Sequence, residues 1–264
     1  IDENSPALDE VKKEEYHQLT AKSLWLSQRS RPDLQLATGF HCTRVQNPTL
    51  QDSKKLMQLL AYIWKTRYLP LIISIDENGE VLIHIDGAHA VHVDMKGHSG
   101  LFVAQGLGAM INVSKKLGIN TTSSTETEVV STGERLPKCT WFRYFRIAQG
   151  AGIKEDILLQ GSKSAALLQK SYPYSAGKGS KHIHVRYYFA AGKLEAGELK
   201  ARHCPAGKLA AGCSSKPLQG ALLVTHRNTL LGVREEDFKL YKEMYTEVLK
   251  QYDLFVNEED LHEI

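Results

Sequence analysis

The stretch Val81-Leu-Ile-His-Ile-Asp-Gly-Ala88 decides how this chain folds, because it predicts a strand with a carboxylate, Asp86, near its end. Aliphatic and β-branched residues dominate it, and such residues favour extended backbone. The preceding stretch Leu71-Ile-Ile-Ser-Ile75 has the same character, and Asn78-Gly79 between the two stretches is a strong turn signal. The pattern therefore predicts a hairpin in which residues 71–75 pair with residues 81–85.

Four more strands are predicted further along the chain, each from a short apolar run bounded by turn residues. The first two, residues 100–104 and 109–113, are joined by the turn Gly106-Leu-Gly108. The other two cover residues 157–160 and 198–203. Between them, residues 182–189 fit a strand or a helix equally well by periodicity.

Helical periodicity marks the beginning, the middle and the end of the chain. Ser123-Ser-Thr-Glu126 fits a capping box, and Pro137 is expected to interrupt the helical region that follows. The order of elements favours an α/β (α+β) fold, in which helices flank a mixed sheet. Helices are predicted over residues 14–29, 34–45, 50–64, 125–134, 139–149, 164–168 and 234–252.

Composition describes an ordinary folded chain of 264 residues, of which 42% are hydrophobic and 24% charged. The longest apolar stretches, such as residues 69–73, are far shorter than the roughly 20 residues that span a bilayer. The formal net charge of +3 permits nucleic-acid binding without favouring it. Because the sequence begins with Ile1, we expect a fragment or a processed product.

Cysteine spacing bears on the cellular compartment. Cys42, Cys139, Cys204 and Cys213 are far apart and form no C-x-x-C pair. We therefore expect reduced, buried thiols and an intracellular, reducing compartment. Location in an organelle is the alternative. A zinc site built from His203, Cys204 and Cys213 is an alternative that the spacing disfavours.

Six short motifs occur in one order along residues 14–233. Together they resemble the C-terminal part of the copia-type (Ty1/copia) retrotransposon polyprotein, where the end of the reverse transcriptase is followed by its ribonuclease H (RNase H) domain. The motifs are Arg31-Pro-Asp33, Ile85-Asp-Gly-Ala88, Ser123-Ser-Thr-Glu-Thr-Glu128, Ser162-Lys-Ser-Ala165, Lys181-His-Ile-His-Val-Arg-Tyr-Tyr188 and Ser215-Lys-Pro-Leu218.

The resemblance implies an RNase H-like fold, with a mixed five-stranded sheet flanked by helices. It also implies an active site of four carboxylates that hold two Mg²⁺ ions. Asp86 matches the first of these acids and Glu128 the second. Gly161 stands at the third position and Gly212 at the fourth, so two of the four acids are missing.

Loss of two acids lowers the formal ligand charge of the site from about −4 to about −2. Repulsion between two Mg²⁺ ions is then poorly offset, and Lys163 and Lys208 near the altered positions oppose cation binding further. We therefore expect no catalytic residues, no bound metal and no cofactor. Mg²⁺ is the expected cofactor only if the domain is an active ribonuclease H. Asp94 as a substitute ligand has no support from its spacing, and His184 is expected to be a packed residue.

The resemblance also divides the chain. Residues 1–66 are expected to form a helical region similar to the reverse transcriptase connection. Residues 67–233 correspond to the RNase H-like domain, and residues 234–264 to a C-terminal amphipathic helix and tail. The helical region and the C-terminal helix are candidate docking elements.

Three functions remain open. The favoured one is a non-catalytic structural or interaction subunit of a larger assembly, for example a ribonucleoprotein such as an organellar ribosome. The second is binding of RNA or an RNA/DNA hybrid without cleavage, through basic side chains that contact phosphates and tyrosines that stack on bases. The small net charge favours a simpler interpretation, in which these basic residues are solvated surface charges and the tyrosines belong to the core. The third is an active ribonuclease H with an altered metal site. The candidate contacts to nucleic acid are Lys115, Lys116, Lys181 and Arg186, followed by Lys178, Arg202, Tyr172, Tyr187 and Tyr188.

Overall fold

The computed structural model describes residues 4–77, 79–152, 154–161 and 189–251, and a five-stranded mixed sheet lies at its centre. The strands are β1 (Glu80–Ala88), β2 (His98–Ala104), β3 (Ile111–Lys116), β4 (Glu155–Gln160) and β5 (Lys200–His203). Their order across the sheet is β3-β2-β1-β4-β5. β1 to β3 pair antiparallel, whereas β4 runs parallel to both β1 and β5. This arrangement confirms the predicted α/β fold class.

Seven helical segments surround the sheet in the described part of the chain. They are α1 (Glu10–Arg29), α2 (Gln35–Cys42), α3 (Leu50–Lys65), α4 (Ser124–Ala148), α5 (residues 189–195), α6 (Gly220–Leu231) and α7 (Phe238–Gln251). Short 3₁₀ turns cover Pro32–Leu34, Ala206–Lys208, Ala210–Ser214 and Glu235–Asp237. Among these residues no helix combines the length and the hydropathy needed to cross a membrane.

The main core lies between the sheet and α4. Alternate residues of β1 (Val81, Ile83 and Ile85) point to the same face, and Leu136 and Phe142 of α4 pack against them. The opposite face of the sheet is covered by the turn Ala210–Ser214 and by α6, which pack on Phe102 and Ala104. Because β1 is buried on both faces, Asp86 near its end is also buried.

The predicted hairpin between residues 71–75 and 81–85 is wrong. Residues 71–75 form no strand, and Ile75 makes an isolated bridge to Gln105. Both edges of β1 are occupied instead, by β2 on one side and by β4 on the other. The Ile72 amide donates to the Leu231 carbonyl, so a contact distant in sequence determines the path of this segment.

Pro137 does not interrupt α4, which continues unbroken from Ser124 to Ala148. The proline is exposed, while Leu136 and Cys139 beside it are buried against the sheet. Burial of this face stabilises the helix on both sides of the proline, which outweighs the loss of one backbone hydrogen bond.

The remaining helix and strand predictions differ from the structure mainly at their ends. The second helix is shorter than predicted, and the strand predicted over 109–113 lies at Ile111–Lys116. The helix predicted over 164–168 falls outside the described residues.

The Ser123 cap is present, with its hydroxyl accepting from the Glu126 amide at 3.1 Å. The Glu126 carboxylate accepts from Thr122 instead of completing the box.

The N-terminal helices pack on the edge of the sheet through polar contacts. Asn112 on β3 donates from its Nδ2 atom to the Pro32 carbonyl at 3.2 Å and to Gln35 Oε1 at 3.0 Å.

The division of the chain into a helical region (1–66), an RNase H-like domain (67–233) and a C-terminal helix and tail (234–264) stays a prediction.

Arg31 and Asp33 form a buried ion pair that joins the helical segments to each other. Arg31 donates from Nε and Nη2 to the two Asp33 oxygens at 2.9 and 2.8 Å, and it also reaches Thr66 after α3. The Tyr62 hydroxyl donates to Asp33 at 2.8 Å. The Arg-Pro-Asp motif therefore has a structural role here.

Replacing Arg31 by methionine is expected to lower the free energy of unfolding by about 3–5 kcal/mol, because Asp33 would stay buried without its cation. Urea unfolding followed by circular dichroism at neutral pH measures this change. The control is Arg234→Met, which removes surface ion pairs with Glu236 and Asp237 and should cost less than about 1 kcal/mol. Equal losses in the two variants would contradict the structural role of Arg31.

Candidate functional site

The four positions of the predicted acidic site meet at one end of the sheet. Asp86 lies near the end of β1, and Gly161 directly follows the parallel neighbour β4. Glu128, in the second turn of α4, reaches the same place: a Cβ atom at Gly161 would lie 4.0 Å from Glu128 Oε1. Gly212 is buried in the 3₁₀ turn Ala210–Ser214, and its carbonyl accepts from the Lys216 amide at 2.9 Å.

Two glycines beside Asp86 allow the surrounding elements to approach the sheet. A Cβ atom at Gly87 would lie 2.7 Å from Ser131 Oγ, so only glycine lets α4 pack this closely. A Cβ atom at Gly100, which faces Asp86 across the β1–β2 ladder, would meet the Ala211 carbonyl at 2.4 Å. The close packing brings the residues after the 3₁₀ turn to Asp86.

Asp86 is fully engaged by two residues that directly follow that turn. The Ser215 hydroxyl donates to Asp86 Oδ2, and Lys216 Nζ lies 2.8 Å from Asp86 Oδ1. The Asp86 side chain is 3% exposed, whereas the Lys216 side chain is 42% exposed. Sequence reasoning missed both contacts, although Ser215-Lys-Pro-Leu218 was among the motifs of the resemblance. Its place just after the fourth acidic position was the signal.

Glu128 is a buried carboxyl group with little to stabilise its charge. Burial and, to a smaller extent, the nearby Asp86 carboxylate raise its pKa to about 8, against smaller opposing effects of Lys216 and the Gly87 amide. Its Oε2 atom has no hydrogen-bond partner among the described residues. Glu128 is therefore protonated at neutral pH, and the ionic contact of the site is the one between Asp86 and Lys216.

Two Mg²⁺ ions, which the resemblance implies, do not fit this set of donors. Magnesium requires several hard oxygen ligands, and Asp86 presents its two oxygens to Ser215 and Lys216. Residues 162–188 contain no Asp or Glu. Within the described ranges, no group of three His, Cys, Asp or Glu side chains is placed to hold a metal.

The other candidate ligands lie elsewhere. Asp94 sits in the loop between β1 and β2, where Lys116 Nζ contacts it at 2.6 Å. Of the zinc alternative, Cys204 and Cys213 are buried free thiols and His203 is exposed. Lys208 is exposed. Lys163 and His184 lie outside the described residues.

The candidate contacts to nucleic acid are only partly within the described residues. Lys115 is exposed on the edge strand β3, and Lys116 beside it is paired with Asp94. Arg202 is paired with Glu155 at 3.0 Å. The structure therefore gathers none of these charges at Asp86. Lys181, Arg186, Lys178, Tyr172, Tyr187 and Tyr188 lie outside the described residues.

The sequence matches no family model. Among solved structures, the chain is similar to the N-terminal RNase H domain of a Mycobacterium tuberculosis protein, at 16% identity over 52% of this chain and 90% of that chain, with a TM-score of 0.38. An RNase H1 from compost, solved with an RNA/DNA hybrid, is 15% identical over 49% of this chain and 88% of that chain (TM-score 0.37).

A foamy viral protease-reverse transcriptase, also solved with an RNA/DNA hybrid, is 12% identical over 73% of this chain and 25% of that chain, with a TM-score of 0.44. These likenesses concern the fold.

Replacing Glu128 by glutamine is expected to change how stability depends on pH. The folded-state pKa of about 8 lies above the ordinary value of 4.5, so the native state binds more protons than the unfolded state between these values. Stability contributed by the protonated group is therefore lost as the pH rises from about 5 to about 8. The Gln variant lacks this decline and should be more stable than the parent at pH 8, on the order of 4 kcal/mol.

Urea unfolding at pH 5 and pH 8 measures the difference. Glu126→Gln, a half-buried residue in the first turn of the same helix, is the control for loss of a carboxylate. A parent protein that is equally stable at both pH values, with no gain in the Glu128 variant, would contradict the buried, protonated state.

Proposed function

We propose that this chain is a non-catalytic RNase H-like protein, related to the copia-type retroelements, that acts as a structural or interaction subunit of a larger assembly. The observation that carries the proposal is the state of its acidic site. Two glycines stand where carboxylates are required, and Asp86 is held by Ser215 and Lys216.

The chemistry of metal-dependent hydrolysis supports this conclusion. Two divalent cations must approach each other closely, one to activate water and one to stabilise the leaving oxygen. Four carboxylates offset their repulsion in the ancestral site, whereas Asp86 and a protonated Glu128 provide at most one negative charge at neutral pH, already matched by Lys216.

An exposed aromatic face on α4 supports a role in binding other proteins. Trp141 is 60% exposed and stacks on Phe145, with ring centroids 5.5 Å apart, and Tyr144 lies exposed beside them. The opposite side of the same helix covers the sheet. Clustered aromatic residues on a surface are typical of protein interfaces, since their exposure to water is unfavourable.

Binding of RNA or an RNA/DNA hybrid without cleavage is the second candidate. Its support within the described residues is the exposed Lys115 on β3, since Lys116 and Arg202 are engaged in ion pairs. A steep decrease of RNA affinity with salt would favour this function over the first one. An active enzyme is the third candidate, and a cleavage assay decides it.

We expect no cleavage of an RNA/DNA hybrid at high protein concentration, in Mg²⁺ or in Mn²⁺, because the site lacks the ligands that hold two cations. Asp86→Asn serves as the control and should behave as the parent does. Cleavage that is abolished by this substitution would contradict the proposal and establish the altered but active site.

The aromatic face is tested by purifying the protein from its native source. We expect a constant set of proteins to accompany the parent chain and to be lost from the Trp141→Ser/Phe145→Ser variant, because burial of the two rings contributes to the contact. Trp25→Ser is the matched control, since Trp25 is 65% exposed on α1. A protein that purifies alone, or with RNA as its constant companion, would count against a protein-binding function.

A further inference from the structure

The missing acids of the site are not excluded by packing. At Gly212 a Cβ atom would meet no heavy atom of the described residues within 4 Å. At Gly161 the nearest contacts would be Leu209 Cδ2 at 3.4 Å and Glu128 Oε1 at 4.0 Å, which are ordinary van der Waals distances. Neither glycine has a positive φ. The backbone and the described neighbours therefore leave room for a Cβ atom at both positions.

The burial of Asp86 requires a compensating positive charge. A carboxylate with a 3% exposed side chain loses its hydration, and this loss is unfavourable unless a cation or several donors replace the water. Lys216 supplies the cation at 2.8 Å and Ser215 supplies a hydroxyl donor. Each Asp86 oxygen thus has a partner from the chain itself.

The same contacts obstruct a divalent ion. A metal on Asp86 would have to displace the ammonium group from Oδ1 and the hydroxyl group from Oδ2. Both groups are anchored close by, because the 3₁₀ turn before them packs on Gly100 and its Ala210 amide donates to His84 on β1 at 3.3 Å.

We infer that Lys216 is the resident counter-ion of this site: its ammonium group takes the charge-balancing role of a divalent cation on Asp86 and keeps such cations out. The domain is then stable without metal, and restoring the two acids would not by itself restore strong Mg²⁺ binding. This inference rests on the proposed non-catalytic function and deepens it, since it assigns the residue that occupies the site.

The first experiment compares thermal unfolding in EDTA and in excess MgCl₂. The parent protein should unfold at the same temperature in both. Lys216→Met should lower the midpoint by about 5 °C or more, because Asp86 would be left buried and unpaired. The Asp86→Asn/Lys216→Met variant should recover most of this loss. Lys208→Met, which removes an exposed lysine from the 3₁₀ turn Ala206–Lys208, should have no effect on the midpoint.

The second experiment measures Mg²⁺ binding by calorimetry to the Gly161→Asp/Gly212→Asp protein, with and without Lys216→Met. Affinity should be about tenfold tighter or more when Lys216 is replaced, since the competing ammonium group is gone. Lys208→Met in the same background controls for the change in net charge.

Three results would overturn the inference. One is a Lys216→Met protein as stable as the parent, and another is a double variant no more stable than Lys216→Met. The third is equal Mg²⁺ affinity with and without Lys216 in the restored protein. None of these readouts uses hybrid cleavage or a protein partner, so their failure is distinct from a failure of the proposed function.

Discussion

Balancing the charge of one buried carboxylate is the constraint that governs this molecule. Asp86 lies in the central strand of the sheet, where helix α4 covers one face and a 3₁₀ turn covers the other. A carboxylate in such a place must be neutralised by a metal, a proton or a basic side chain. Here the chain itself supplies the cation, through Lys216. The remaining carboxyl group, Glu128, is left to be neutralised by a proton.

Glycines around this carboxylate let the neighbouring elements lie close to the sheet. Gly87 lets α4 contact β1, and Gly100 lets the turn Ala210–Ser214 lie directly on β2. The parallel pairing of β1 with β4 brings Gly161 beside Glu128. The four positions that the sequence resemblance aligns with acids are therefore close together, and Gly161 and Gly212 carry no carboxylate there. Packing depends on the apolar face of each element, whereas binding of a metal would depend on a few polar side chains, so the fold does not require the four acids.

Much of the fold follows from local patterns. The helices over residues 50–64 and 14–29 and the strand over 157–160 were predictable, since periodicity and capping residues act within a few positions of each other. The predicted hairpin was wrong because residues 71–75 form no strand and both edges of β1 are paired with distant segments, β2 and β4. Pro137 was misjudged for a similar reason: burial of Leu136 and Cys139 against the sheet outweighs a local helix-breaking preference.

By itself the sequence determined that Asp86, Glu128, Gly161 and Gly212 stand at the four positions for which the resemblance implies acids. That information is carried by residue identity and needs no geometry. Only the tertiary structure decided that Lys216 reaches Asp86 across 130 positions of the chain, that Glu128 is buried without a partner for Oε2, and that Trp141 and Phe145 face outward. These properties depend on which surfaces of distant segments meet, and on how much water is left between them, and neither is encoded in any short stretch of sequence.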